Sequence, residues 1–370
     1  MSADATDGRV STNGYPMPAR PVGGPAAWRG ANLADRDDWI YALKQTEVAE
    51  LEAAVAATEA KGLDTLAITK DDFALPTLGP RLRDLRQDLL AGRGFAYLRG
   101  LPVERFDRAT LARIYFGVGQ HVGDPVPQNR NGHMVAHVID VGDDPGDATK
   151  RLTQTPAPLE FHSDSADVAV LLCIQPAKSG GLSSIVSSTA VHDAILAERP
   201  DLLEVLYEPL HIDRRGEVPE GCNPWYDMPT FHWHQGQLST FGPLRAYVNS
   251  AQRYDGVPPL STLQQDALEL LDRLTSSSEF RLDLPFQVGD MQFLHNHLIL
   301  HGRTEYEDWP EPEKKRHLMR LWLSMPDGRA LPETFRERYT VIELGQRRGG
   351  IHVPGLEQIL PLEPDTPAYH

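Results

Sequence analysis

The chain is poor in cysteine, has no long apolar run and lacks a positive charge balance, and each deficiency removes a class of protein. Only Cys173 and Cys222 occur in 370 residues, too few for a disulfide framework or a cysteine-rich zinc site. Two free thiols suit a reducing cytoplasm. No stretch of about 18 apolar residues is available to cross a membrane. The N-terminus carries Asp, Arg, Pro and Gly where a secretory signal needs an apolar centre. A formal charge of -16 repels phosphate backbones and anionic lipid, so neither nucleic acid nor membrane is an expected partner. An anionic small ligand would have to meet a local cluster of arginines.

What remains is a soluble globular composition, 41% hydrophobic and 24% charged, which excludes disordered and collagenous chains and leaves a packed domain. Residues 1–27 are rich in Gly, Pro and Ala without periodicity and are expected as a flexible tail. Val48, Leu51, Val55 and Ala56 recur at helical spacing, as do Leu82, Leu85 and Leu89, and Arg108 to Gly119 also has helical character. These predict an N-terminal helical cover. After Pro258-Pro259, Ser261 and Gln264 form a capping box ahead of another amphipathic run, expected to pack outside a sheet.

Short β-rich runs follow the first helices: Gly94 to Leu98, Val170 to Ile174, Ile185 to Ser188, Phe280 to Phe286, Met291 to Leu294, Leu298 to His301 and Met319 to Leu323. That cadence predicts an α+β fold, with antiparallel strands closing into a jelly-roll core, flanked by helices. Residues 207–247, with Trp225, Tyr226, Phe231 and Trp233, are expected to cover an active site. A single domain is expected over 28–345, with 346–370 as a C-terminal extension.

Histidine followed two residues later by an acid is weak by itself: 14 histidines and 52 acids predict about two such pairs by chance, and two occur. They differ in context. His162-x-Asp164 precedes a β-rich stretch, where positions i and i+2 share a face. His211-x-Asp213 runs into Arg214, Arg215 and Gly216, the composition of a solvated turn. Two histidines and one carboxylate can cover one face of an iron(II) ion and leave the opposite positions open. The third ligand must come from a distant strand, and His295, His297 and His301 are the candidates. His297 and His301 would share a face of a strand, so alternation does not separate them. Farther on, Arg316 and Arg320 stand four apart among apolar neighbours. A guanidinium buried there needs an anion, supplied by a ligand or by an internal salt bridge.

Taken together, Phe161-His162-Ser163-Asp164, Gly180-Gly181-Leu182-Ser183, Gly289-Asp290, Asn296, His301-Gly302-Arg303 and Arg316-x-x-x-Arg320 resemble the TauD/TfdA group of Fe(II)- and 2-oxoglutarate-dependent dioxygenases. The likeness spans about Gly94 to Ser324 and implies a double-stranded β-helix with an iron site. It makes His162, Asp164 and His301 the metal ligands, sets Arg316 and Ser183 on the far carboxylate of 2-oxoglutarate, and turns Arg320 toward the reaction centre. Dioxygen would be the other co-substrate. Ser183 replaces the commoner threonine. Pro158, Leu159 and Glu160 stand where taurine-using relatives place a polar substrate contact, which argues against taurine itself. Stretches near Val170 to Cys173 and Ala177 to Ser187 also resemble the clavaminate-synthase-like branch, which handles amino-acid derivatives, although that branch usually has glutamate where Asp164 stands.

The implied reaction couples decarboxylation of 2-oxoglutarate to oxidation of a C–H bond, most simply hydroxylation. Asp164 argues against halogenation, because halogenating relatives lack this carboxylate. The expected partner is a small anionic or amino-acid-like substrate, contacted by Arg320, Gln128 and Asn129, and a homo-oligomer is compatible with the sequence. A non-catalytic cupin-like binder has no use for the Arg316 and Ser183 pair. A zinc hydrolase on the same ligands does not explain the paired arginines.

Overall fold

The strand His317–Ser324 shows how the sequence makes its layers. Met319, Leu321 and Leu323 join a core with the helices Gln45–Ala60, Leu78–Ala91 and Arg108–Gln120. The alternate residues Leu318, Arg320 and Trp322 belong to the opposite face. The neighbouring strand Val168–Gln175 divides likewise, with Val170 and Leu172 toward the helices and Leu171 and Cys173 in the core between the sheets. The structure, a computed structural model, describes residues 8–142, 152–216, 218, 221–242 and 244–364.

The larger sheet runs in the order Ile40–Ala42, Phe95–Arg99, Met291–His295, Val168–Gln175, His317–Ser324 and Asp124–Val126, with Val135–Ile139 also paired to His317–Ser324. A second sheet runs Leu282–Leu284, Ser183–Ser187, Ile299–Arg303 and Leu159–His162, all antiparallel. Ile185, Leu284 and Ile299 of this sheet share a buried core with Phe95, Leu294 and Leu318 of the other. Val186 and Leu300 turn the other way, onto the helices Ser188–Glu198, Pro200–Val205 and Thr262–Ser276. The order is therefore helices, sheet, inner core, sheet, helices. The Ser261 and Gln264 capping box forms as expected, with each side chain bonded to the other's backbone. Among the described residues no helix is long and apolar enough to cross a membrane.

Two expectations need correction. The N-terminal stretch from residue 8 onward is docked rather than loose: Gly8–Val10 pairs with Pro16–Pro18, and Met17 is fully buried. Arg9 and Thr12 bind Glu204, while the backbone N–H groups of Val22 and Gly23 donate to Asp193 at 2.8 Å. Acids far along the chain supply the anchors, which local composition does not reveal. Residues 1–7 of that stretch lie outside the described residues. The C-terminal extension is likewise integral, because Arg348 is buried and its Nε donates to Asp167 at 2.9 Å. Residues 365–370 are outside the described set, as are 217, 219, 220 and 243 of the cover. The described part of the cover holds two antiparallel strand pairs, Leu210–Asp213 with Trp225–Met228 and Phe231–His234 with Gln237–Thr240, and runs into the helix Arg245–Ala251.

Candidate active site

His162 ends the strand Leu159–His162 and lies directly opposite His301. Facing residues of adjacent strands present side chains to one face, and these two imidazole centroids are 4.3 Å apart. Asp164 is past the strand end, so it arrives from a turn rather than by alternation, with Oδ2 at 3.6 Å from His301 Nε2. One donor atom from each of the three residues lies within 4.8 Å of the others.

The donor set fits a divalent metal. Asp164 Oδ2 and His301 Nδ1 are buried without a hydrogen-bond partner, a situation that costs about 1–3 kcal/mol per atom unless a further group supplies the contact. His162 Nδ1 is 2.9 Å from the Glu160 carbonyl; with the proton donated there, Nε2 keeps its lone pair for a metal. Burial holds His162 below the usual histidine range, and burial followed by His162 pushes His301 down to about 3. Both rings are therefore neutral ligands at neutral pH. Burial pushes Asp164 upward, but the permanent charge of Arg320, foremost of the opposing causes, outweighs it, and the carboxyl ends below its ordinary range.

The turn between the ligands is clamped. Asn296 accepts the Asp164 N–H at 3.1 Å and donates to the Ala166 carbonyl at 2.8 Å. Ser163 and Gly242 exchange two hydrogen bonds at 2.9 and 3.1 Å, tying the cover to the ligand loop. Asn296 stood among the sequence motifs without a role; its side chain ties Asp164 to Ala166 from 132 and 130 positions away, respectively.

His297 lies outside the cluster. It sits in the turn before the strand Ile299–Arg303, and its Nε2 is 2.9 Å from Asp167. His211 is 2.5 Å from Asp227, and Asp213 takes up the Ser250 hydroxyl at 2.6 Å, so that pair holds a hairpin.

A second cluster suits a carboxylate. Arg316 immediately precedes its expected strand and is 3% exposed, with Nη1 lacking a partner. Its guanidinium carbon lies 5.3 Å from the Tyr306 ring centroid, and that of Arg303 lies 4.7 Å from the same centroid. Arg303 Nε is also buried without a partner, and burial, then Arg316, pushes this guanidinium down to about 10. Arg303 Nη2 donates to the Thr155 and Ala157 carbonyls, but the N–H groups left open on these two desolvated cations call for an anion nearby. Gly181 makes room: its φ is +65°, and a Cβ there would come within 3.0 Å of Arg316 Nε. Ser183 stands directly across from Arg303 and donates to Gln292 Oε1 at 2.8 Å, while Gln292 Nε2 has no partner. Arg303, Tyr306 and Gln292 had no assigned role in the sequence reading.

The residues expected to touch substrate separate. Arg320 lines a cavity of about 590 Å³ together with His162 and Asp164, but its Nη1 donates to Asp164 Oδ1 at 3.0 Å. This is the internal salt bridge that the sequence left open. Gln128 is wholly buried, does not line the cavity and binds Arg320. Asn129 does line it, yet its side-chain oxygen caps a turn by accepting the N–H groups of Asn131 and His133 at 3.0 and 3.2 Å.

Such a buried set of two histidines and one carboxylate is the donor pattern found in non-haem iron oxygenases. The profile described as "Taurine catabolism dioxygenase TauD, TfdA family" matches residues 59–322, and the chain belongs to that family. It is 32% identical over 316 residues to FR-33289 synthase of Streptomyces rubellomurinus, covering 85% of this chain and 93% of that one. It is 30% identical over 305 residues to the taurine hydroxylase-like protein SAT17 of Stachybotrys chartarum, covering 80% and 77%. Among solved structures, asparagine oxygenase with Fe(II), 2S,3S-3-hydroxyasparagine and succinate superposes at a TM-score of 0.59, 18% identity, over 77% of this chain and 94% of that one. The iron oxygenase OrfP with Fe and alpha-ketoglutaric acid gives 0.57 at 14% identity, over 77% and 93%. The protein is accordingly an iron- and 2-oxoglutarate-dependent oxygenase, and its cofactors are Fe(II), 2-oxoglutarate and dioxygen.

Proposed function

We propose that His162, Asp164 and His301 hold the iron, that Arg316 and Ser183 grip the distal carboxylate of 2-oxoglutarate, and that the enzyme hydroxylates a C–H bond of a small anionic or amino-acid-like molecule. The observation that carries this is the pairing of an orphaned Asp164 Oδ2 beside two neutral imidazoles with a buried, unpartnered Arg316 Nη1. When bound, iron, 2-oxoglutarate and dioxygen supply the oxidising power, yielding succinate, carbon dioxide and an oxidised substrate.

The protein's contribution is placement. Arg316 orients a carboxylate by charge and by its planar fork. Turning the Gln292 amide by half a rotation would let Nε2 donate to Ser183 Oγ, freeing the serine proton for that carboxylate. The cavity above the ligands carries Arg130, Arg214, Arg215, Arg320 and Arg338 against Asp164, Asp213 and Glu363. Arg320 pairs with Asp164, Arg214 with Glu337, and Asp213 with Ser250 and Arg253, and the lining still carries more arginines than acids. A basic recess in a chain of charge -16 favours an anionic substrate. Taurine, in the name of one relative, is an anionic sulfonate, and hydroxyasparagine, in a structural neighbour, is an amino acid. Tyr226 and Tyr247 from the cover region wall the recess and limit water. The two sheets are read as a double-stranded β-helix within one oxygenase domain that takes in the docked N-terminal stretch and the C-terminal segment, working in the cytoplasm with Cys173 and Cys222 free.

Succinate release from 2-oxoglutarate with Fe(II) and ascorbate, screened against small carboxylic, sulfonic, phosphoric and amino acids, tests the reading. One class should raise turnover well above the uncoupled rate. Arg316→Ala should raise the 2-oxoglutarate requirement by about 100-fold while leaving metal binding in place. Turnover supported by zinc instead of iron would refute the proposal.

A further inference from the structure

We infer that Gln128 is a positioning residue for the metal centre: acting through Arg320, it restrains Asp164 so that only one carboxylate oxygen is offered to the ion. The inference rests on the metal centre proposed above and adds a residue that does not touch it.

Gln128 is fully buried, and both ends of its amide are engaged. Oε1 accepts from Arg320 Nε at 2.8 Å, while Nε2 donates to the carbonyls of Arg320 and Met134 at 2.6 and 3.0 Å. Only an amide supplies an acceptor to a guanidinium and donors to two carbonyls from one short side chain. Arg320 passes the restraint on. Its Nη1 donates to Asp164 Oδ1 at 3.0 Å, and its guanidinium carbon lies 4.8 Å from the Trp322 ring centroid. Oδ1 is thereby occupied, and Oδ2, which faces His301 Nε2 at 3.6 Å, is left for the metal.

The C-terminal segment sets the spacing between the two partners. Gly350 N–H donates to the Ser165 carbonyl at 2.7 Å, and Ile351 N–H donates to the Pro127 carbonyl at 2.8 Å. Ser165 follows Asp164 and Pro127 precedes Gln128, so one turn stitches both segments together. Gly350 has φ +81°, and a Cβ there would lie 2.9 Å from the Pro127 oxygen and from Val126 Cβ. A chelating keto acid and dioxygen together need three open positions, and a carboxylate binding through both oxygens would take one of them. Groups that orient a ligand without touching the metal typically change metal affinity by about 10–100-fold.

Co(II), whose visible spectrum reports coordination number, is the probe. Titrated into the full chain, Gln128→Ala and the volume-preserving Gln128→Met should bind Co(II) about 10-fold more weakly and with an altered band shape. In an Arg320→Met background the same change at Gln128 should add nothing, because the pathway is already cut. A dissociation constant within twofold of the parent's and an unchanged spectrum for folded Gln128→Met would overturn the inference, as would losses that simply add in the double variant. A parent protein that binds no Co(II) would remove the metal centre itself, a different failure.

Discussion

Two buried groups of histidine and aspartate sit close together in the chain and behave in opposite ways. His162, Asp164 and His301 leave Asp164 Oδ2 open, with the other oxygen held by Arg320. Three residues later, Asp167 has both oxygens engaged: one by His297 at 2.9 Å, the other by Arg348 Nε at 2.9 Å and the Met325 N–H at 2.7 Å. Residue type and burial are the same in both. His297 Nδ1 lacks a partner just as His301 Nδ1 does, so the contrast lies in the carboxylates: Asp164 keeps one oxygen without a partner and Asp167 does not, and a single arginine position decides it. Arg320 takes one oxygen of its carboxylate, whereas Arg348 completes the satisfaction of its own.

The strongest way to break this contrast is to exchange behaviours. His162→Ala, Asp164→Ala and His301→Ala should each abolish Fe(II)-dependent succinate formation and metal retention, measured by turnover and by metal analysis after dialysis. Next in size, Arg348→Met should leave Asp167 under-compensated and cost roughly 3–5 kcal/mol of stability in denaturant unfolding. A loss under about 1 kcal/mol would show the knot is not structural.

A third expectation concerns acid. Burial holds His232 at about 3 and His297 at about 4, and burial with His137 holds His317 at about 3. In the unfolded chain histidine titrates near 6.5. Between those values the unfolded chain binds more protons, so this stability is complete above about pH 6.5 and declines as pH falls toward about 4. Urea unfolding at pH 7.5 and 5.0 should differ by on the order of 1–2 kcal/mol per histidine, and equal midpoints would contradict the burial of these rings as neutral groups. The smallest effect belongs to His297→Gln, which should bind Co(II) within about twofold of the parent. A large loss there would make His297 part of the metal centre after all.

Much of this was legible in advance. Met291 to Leu294 and Met319 to Leu323 were legible as short strands, and the observed strands Met291–His295 and His317–Ser324 extend those runs by a residue or more. The His162 and Asp164 pair could be singled out by its β-rich neighbourhood. The choice between His297 and His301 could not be made by alternation, because the strand begins at Ile299 and leaves His297 in a turn. Arg320 looked like a substrate contact because a buried cation needs an anion, and the sequence could not say that Asp164 would provide it from 156 positions away. Gln128 with Arg320 and Asp167 with Arg348 are separated by 192 and 181 positions, so their pairings exist only once the sheets and the C-terminal segment have met. Local pattern specifies elements, while the partner of a buried polar group is decided by tertiary packing.

The central claim is that three donors from the 162–164 turn and the His301 strand meet one iron next to a guanidinium that grips a keto acid. Anaerobic titration of Fe(II) and then 2-oxoglutarate, followed by visible absorbance, tests it most directly. The account predicts a charge-transfer band that saturates at one iron per chain, is absent in Asp164→Ala, and in Arg316→Ala needs far more 2-oxoglutarate to form. No band in the parent protein, or a band undiminished in Asp164→Ala, would contradict it.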